Sequence, residues 1–353
     1  MRADRPPVSG AFYGLAAAAL FGLNAPIAKL LLPGVDPLPL AGLLYSGGGL
    51  GLVAVGLARR AEPGAVVRET ALQRADYGVL LAIIVAGGFV GPVLMLVGLQ
   101  RVSAVFGSLL LNLEAPFTMF LAVTIFREHL GRYEAGGAAL VILGATILSF
   151  VPGDMSSDAG GMAALTGACL SWAIDNNLTQ RLALRDPVAV ARAKMIGAGM
   201  LSLGLAVACG YAMPATGRIV AALVAGFGIY GVSVVFAVEA LRRLGAAREA
   251  AYFATAPFVG AAVAVPLLGE RLGVRELMAA AIMGSGVVAL LRAEHAHPHA
   301  HEALEHDHAH LHDEHHRHDH DGSVEEPHAH HHVHAPLIHT HAHVSDVHHR
   351  HRH

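Results

Sequence analysis

The chain has 353 residues, 54% of them hydrophobic and only 14% charged, with mean hydropathy +0.51 and formal net charge −3 when histidine is neutral. A soluble domain takes about 25% of its residues from Asp, Glu, Lys and Arg, so this composition excludes a soluble enzyme or a basic nucleic-acid-binding module and points to a chain dissolved in lipid. No nucleic-acid partner is expected; the lipid bilayer is.

Windows of roughly 20 apolar residues, enough to cross about 30 Å of hydrocarbon, recur at 10–32, 37–58, 76–99, 104–126, 133–151, 159–183, 187–209, 219–241, 247–268 and 273–292. The first follows Arg2 and Arg5 as a signal peptide would, but it is too long and runs into Leu32-Pro33-Gly34 without a small-residue cleavage pattern, so it is read as retained. It carries Asn24 and Lys29. The second, third and eighth contain the glycine clusters Gly47-Gly48-Gly49-Gly51, Gly87-Gly88-Gly91 and Gly226-Gly228-Gly231, which imply close helix contact. Gly91-Pro92 also offers a place for a helix break. The fourth span holds Asn112, Glu114 and Pro116; the sixth holds Asp175-Asn176-Asn177 followed by Thr179-Gln180; the seventh holds Lys194. Cys169 and Cys209 fall within apolar spans and read as small buried hydrophobes, with no disulfide framework.

A charge at mid-membrane costs about 2.5–3.5 kcal/mol on insertion scales, so each one needs a reason. Glu114 has no basic residue within a helical turn. It must face a wet cavity, pair with another helix or stay a neutral hydrogen-bonded acid. Asp175, Asn176 and Asn24 suit a cavity or interhelical hydrogen bonding. Lys29 and Lys194 are substrate-binding candidates as well, with snorkelling to the interface the alternative for Lys29. Arg192 and Glu239 lie near a surface and are read as snorkelling; Glu128 and Glu270, at helix ends, as capping or loop packing.

The spans are written twice. Leu99-Gln100-Arg101…Ala104…Ala115-Pro116-Phe117…Glu128-His129-Leu130-Gly131 returns as Leu241-Arg242-Arg243…Ala246…Ala256-Pro257-Phe258…Glu270-Arg271-Leu272-Gly273, and Asp36-Pro37 returns as Asp186-Pro187. The same alignment sets Asn24 opposite Asp175, Lys29 opposite Gln180 and Leu44 opposite Lys194. Five spans per copy make the second copy enter the membrane from the opposite side, the inverted arrangement of secondary transporters. Arginines concentrate on one set of loops, which places both termini in the cytoplasm. The expected fold is thus all-α and integral to the membrane: ten helices as two inverted repeats over 10–151 and 159–292.

From 293 onward the composition changes. The tail holds 24 of the 25 histidines and eleven acidic residues against Arg317, Arg350 and Arg352. With few large apolar groups it is expected to be disordered. Its histidines alternate as His295, His297, His299, His301, then His306, His308, His310, His312, then His328, His330, His332, His334, so that alternate imidazoles share a face in an extended chain. Such pairs suit Ni, Zn or Co. Nothing in the spans calls for a cofactor, and the phosphate loop GxxxxGK[ST] and the HExxH motif are both absent.

The segments Leu111-Asn112-Leu113-Glu114-Ala115-Pro116-Phe117 and Ala256-Pro257-Phe258, each leading into Glu-x-Leu-Gly, together with Phe21-Gly22-Leu23-Asn24-Ala25-Pro26, resemble the EamA-type repeats of the drug/metabolite transporter superfamily. The resemblance covers nearly all of 10–292 and implies ten helices, cytoplasmic termini and export of small metabolites. Two departures matter. The family's Arg in the second helix of each repeat is here only Lys194, and Thr255 stands where the first repeat has Glu114. The histidine tail lies outside the family pattern. The reading is an inner-membrane secondary transporter, not an enzyme, that exports a small metabolite and carries a metal-binding regulatory tail. The alternative is a divalent-metal exporter whose tail collects cargo. Sequence sets no oligomeric state.

Overall fold

The structure is a computed structural model that describes residues 8–60, 70–126, 131–149, 158–182, 185–244 and 246–291, and four strands of the tail. In chain order, α1 is Val8–Gly22 resumed as Asn24–Leu31, and α2 is Pro37–Arg60. α3 runs Arg74–Arg101 through a π-helical segment, Ile84–Val90. α4 is Ala104–Leu110, a 3-10 turn Leu111–Leu113 and Glu114–Phe126. α5 is Arg132–Ser149, α6 is Ala159–Thr179 with a 3-10 end at Gln180–Leu182, and α7 is Pro187–Ala208. α8 is Thr216–Gly226, a second π segment Phe227–Val232 and Ser233–Leu244. α9 is Ala246–Phe253 and Ala256–Leu268, and α10 is Val274–Leu291. Among the described residues, six of these helices are long and apolar enough to cross a membrane: Gly10–Leu31, Pro37–Ala58, Arg74–Arg101, Ala104–Ile125, Pro187–Ala208 and Thr216–Leu241.

Three helices break at a polar residue followed by Ala-Pro. Asn24-Ala25-Pro26, Glu114-Ala115-Pro116 and Ala256-Pro257 after Thr255 each open a new helical segment. Proline has no N–H to donate and is tolerated only in the first turn, where that donor would have no partner. The polar residue two places before it thereby lands at the break. α6 has no such proline and runs unbroken through Asp175-Asn176-Asn177. The two π segments fall at equivalent places in α3 and α8, and Gly91-Pro92 opens the α-helix that follows the first of them. A π turn leaves carbonyls off the regular ladder, where side chains of other helices can reach them.

Like-numbered helices of the two repeats pack on each other: α2 on α7, and α5 on α10. α1 lies on α8 and α3 on α6, a related pair of contacts. α2 also crosses α8, where small residues let the helices approach. A Cβ on Gly226 would stand 1.9 Å from the Leu44 carbonyl oxygen, and one on Gly47 2.1 Å from that of Leu223, so α2 and α8 meet backbone to backbone. Helix ends gather in two sets. Arg101 pairs with Asp158 at 3.2 Å at one end, and Arg185 with Asp76 at 2.8 Å at the other.

Two expectations are corrected. Cys209 is not a buried hydrophobe: it caps the end of α7, ahead of Gly210 at φ 76°, and is exposed, whereas Cys169 is fully buried. The tail is not without order. His295–His301 pairs antiparallel with Leu337–His343, and Leu304–His310 with His328–His334, and both ladders follow one register, as a single hairpin would. The reason lies in the pattern: a histidine at every second residue has the period of a strand, and ladder hydrogen bonds supply ordering that apolar burial does not. The register sets His297 opposite His341, His299 opposite His339, His306 opposite His332 and His308 opposite His330. His312, His129 and Glu128 lie outside the described residues.

Gly226→Ala is expected to destabilise the protein by about 1–3 kcal/mol through overpacking against α2. Gly228→Ala, which meets nothing within 4 Å, should leave the melting temperature of the detergent-solubilised protein unchanged. Equal melting temperatures would mean that α2 and α8 do not approach this closely.

Candidate functional site

Three successive polar residues on an unbroken helix point about 100° apart, and α6 uses them to reach different neighbours. Asp175, 4% exposed, receives the ammonium of Lys194 from α7 on Oδ2 and the Thr179 hydroxyl at 3.4 Å on Oδ1. Asn176 Nδ2 donates to Glu114 Oε1 at 2.7 Å across to α4. Asn177 Nδ2 donates to the carbonyls of Thr118 at 3.1 Å and Ala173 at 2.9 Å, and its buried Oδ1 has no hydrogen-bond partner. Thr118 returns its own hydroxyl to the Glu114 carbonyl at 2.9 Å, inside the turn that Pro116 opens.

The π segment of α3 closes the site on another side. A Cβ on Gly87 would lie 2.2 Å from Asp175 Cγ, so only glycine lets this backbone approach the carboxylate. The carbonyl of Gly87 accepts from Tyr45 Oη at 3.1 Å and Trp172 Nε1 at 3.0 Å, and that of Ala86 from Ser171 Oγ at 2.8 Å. Tyr45 stacks at a tilt on Tyr230, with ring centroids 4.9 Å apart, and Tyr230 Oη donates to Asn24 Oδ1 at 2.7 Å. Asn24 turns its amide nitrogen to Met95 Sδ at 3.4 Å. Residues of α1, α2, α3, α4, α6, α7 and α8 thus form one polar seam between the repeats.

Of the residues singled out from sequence, Asn24, Glu114, Asp175, Asn176 and Lys194 lie on this seam. Lys29 and Asn112 lie elsewhere. Lys29 Nζ donates to the carbonyls of Leu99 and, at 2.8 Å, Val102, at the end of α3. Asn112 donates to the Leu109 carbonyl at 2.9 Å and faces Met283 of α10. Glu239 makes an ion pair with Arg243 on its own helix at 3.5 Å. Glu270 caps a helix as read from sequence, accepting the N–H groups of Ala104 and Val105 at 2.7 Å each.

Sequence reading missed Tyr45, Thr118, Trp172 and Tyr230, and took Gly87 only as a helix contact. A signal existed for the aromatic ones: Tyr and Trp hydroxyl and indole groups buried in mid-span need acceptors, and Tyr45 adjoins the position aligned with Lys194. Among the described residues no group of three His, Cys, Asp or Glu side chains gathers as metal ligands. A separate cleft of about 450 Å³ lies between α4 and α5, lined by Leu110, Leu113, Phe117, Ile142, Ala145 and Thr146 among others. Its walls are mostly apolar, with the hydroxyls of Thr146, Ser149 and Thr166, and it offers no charged group to a solute.

The EamA-like transporter family model matches residues 8–150 and again 159–292. An uncharacterized transporter of Methanothermobacter thermautotrophicus is 28% identical over 296 residues, 78% of this chain and 84% of that protein. A solved crystal structure superimposes with TM-score 0.57 at 19% identity, over 80% of this chain and 96% of the other, a likeness of fold.

Proposed function

The chain belongs to the EamA-like transporter family, and from that premise we propose that it is a secondary-active permease exporting a small charged metabolite by alternating access around the polar seam. The observation that carries this is the Asp175–Lys194 pair between the repeats, with Glu114 held beside it by Asn176. A buried ion pair is internally neutral, so a solute bearing one or both complementary charges can open it and take up Lys194, Asp175 or both. Glu114 supplies a carboxylate without a lysine or arginine in its hydrogen bonds, suited to accept and release a proton. Ten spans in two inverted halves, termini in the cytoplasm and placement in the inner membrane complete this reading; the odd span count per repeat and the arginine bias support it.

Divalent-metal export is the second reading, favoured only by the tail. An ion entering the seam would have to displace Lys194 from Asp175, and a cation so close repels the ion. The metabolite reading therefore stands first.

Transport follows as a test. In sealed vesicles loaded in turn with amino acids, organic acids and organic amines, Lys194→Met, Asp175→Asn and Glu114→Gln are each expected to lower efflux by at least about tenfold, equivalent to about 1.4 kcal/mol, with insertion unchanged. Full efflux from all three variants would make the seam structural.

For the tail we propose binding of Ni, Zn or Co between histidines opposed across the ladders, acting on transport as a regulator. Opposed positions put Cβ atoms about 4.5–5.5 Å apart, within reach of two imidazoles for one ion. Protonated imidazole is no ligand, so affinity must fall as pH drops through about 6.5. Calorimetry on the full chain and on a form ending at Leu291 should show several ions bound only by the full chain at pH 7.5, and weaker binding at pH 5.5. Affinity indifferent to pH, or equal binding by the shortened form, would overturn it.

A further inference from the structure

Asn177 is 3% exposed, and its Oδ1 is buried without a hydrogen-bond partner. A buried acceptor left unpaired bears its full desolvation cost, so such atoms are rare and call for an explanation. The amide nitrogen of the same group fixes where that oxygen can be: Nδ2 donates to the Thr118 carbonyl at 3.1 Å and holds the carboxamide against one turn of α4. That turn also carries Glu114 and the Thr118 hydroxyl. Both converge on the neighbouring carboxamide, with Asn176 Nδ2 2.7 Å from Glu114 Oε1 and 3.4 Å from Thr118 Oγ1.

Asn176 is the hub. A carboxamide has a donor edge and an acceptor edge of nearly the same shape, so a half-turn about its last bond puts Oδ1 where Nδ2 lies. Presenting Nδ2 to the Glu114 carboxylate suits an empty site. Presenting Oδ1 would set oxygen against oxygen, an arrangement that holds only with a cation between them. Turned so, Asn176 Oδ1, Glu114 Oε1 and Thr118 Oγ1 face one place, with the unpaired Asn177 Oδ1 on the next residue. The Thr118 hydroxyl is free to accept there, because its own proton goes to the Glu114 carbonyl at 2.9 Å.

The donors are all oxygens, which suit a hard cation rather than a soft transition metal. Charge sets the valence. Glu114 supplies one negative charge, and the other carboxylate of the seam, Asp175, is already matched by Lys194. A monovalent ion neutralises Glu114, whereas a divalent one would leave an uncompensated positive charge in a low-dielectric interior. Lys194 stays in place, unlike the case of an ion bound at Asp175. Oxygens this closely spaced enclose a small ion, which favours Na+ over K+. Glu114, Thr118 and Asn176 are half-buried, not sealed off. The other repeat has no equivalent: the positions aligned with Glu114, Thr118, Asn176 and Asn177 are Thr255, Val259, Ala25 and Pro26, which offer neither carboxylate nor side-chain amide.

We infer that Glu114, Thr118, Asn176 and Asn177 form a single Na+ site, and that the Na+ gradient drives export through it. The binding half stands on the geometry alone; the coupling half rests on the export reading above.

Melting of the full-length protein in detergent tests binding without any solute. At constant ionic strength, replacing choline chloride by sodium chloride should raise the melting temperature by about 2–4 °C once Na+ is about tenfold above its dissociation constant. Potassium chloride should not. Glu114→Gln and Thr118→Val should each abolish the rise, and Asn177→Leu should increase the half-saturating Na+ concentration by at least about tenfold. Thr124→Val, which removes an exposed hydroxyl bonded along the same helix in the same way, should keep the rise. Should Asn177→Leu insert poorly, Thr118→Val carries the test. In sealed vesicles at equal pH, an inward Na+ gradient should accelerate solute efflux over choline. No rise, an equal rise with potassium, or a rise that survives both Glu114→Gln and Thr118→Val overturns the site. Efflux indifferent to the Na+ gradient overturns the coupling; if a proton gradient then drives it, the export reading stands without Na+.

Discussion

A carboxylate and an ammonium share one low-dielectric space at Asp175 and Lys194, and much of the interior is arranged around that necessity. Burying either charge alone is costly, and removing one partner of a buried pair typically destabilises by about 3–5 kcal/mol because the other is left uncompensated. The pair therefore requires α6 and α7 to stay in register. It also requires a third wall without a side chain, which Gly87 provides. That wall is a π segment, and its irregular carbonyls are in turn taken by Tyr45, Trp172 and Ser171.

The scaffold holds this seam with few strong bonds. Helices of the two repeats meet through glycines at van der Waals distance, which suits a membrane, where apolar side chains gain nothing by leaving lipid for protein. Proline-broken helices place Asn24 and Glu114 where backbone regularity fails and polar side chains can turn inward. At the α3–α4 junction the fastening is by contrast charged, with Glu270 and Lys29 on opposite helix termini.

The helices, six of them long enough to span, the repeat and the deepest carboxylates were legible because each rests on a local rule: apolar length, self-similarity and the cost of charge in lipid. Asp175 and Glu114 stood out for that reason. Their partners did not, because Lys194 meets Asp175 only through the crossing of α6 and α7, and no spacing along the chain encodes that. Lys29 shows the converse. Its residue type suggested a substrate site, but it lies near a helix end where free carbonyls were the nearer demand. Gly87 was read as helix contact, which it is, though the atom it accommodates is the Asp175 carboxylate. Tail order was missed because composition was weighed over the period-two alternation that the same histidines display.

The central claim is that Asp175 and Lys194 stabilise each other as a pair while serving transport. A thermal double-mutant cycle in detergent tests it most directly, using Asp175→Asn, Lys194→Met and both together. Each single change should lower the melting temperature markedly, and the double change should restore much of that loss while leaving transport abolished. Additive losses of stability, or transport regained by the double variant, would contradict the account.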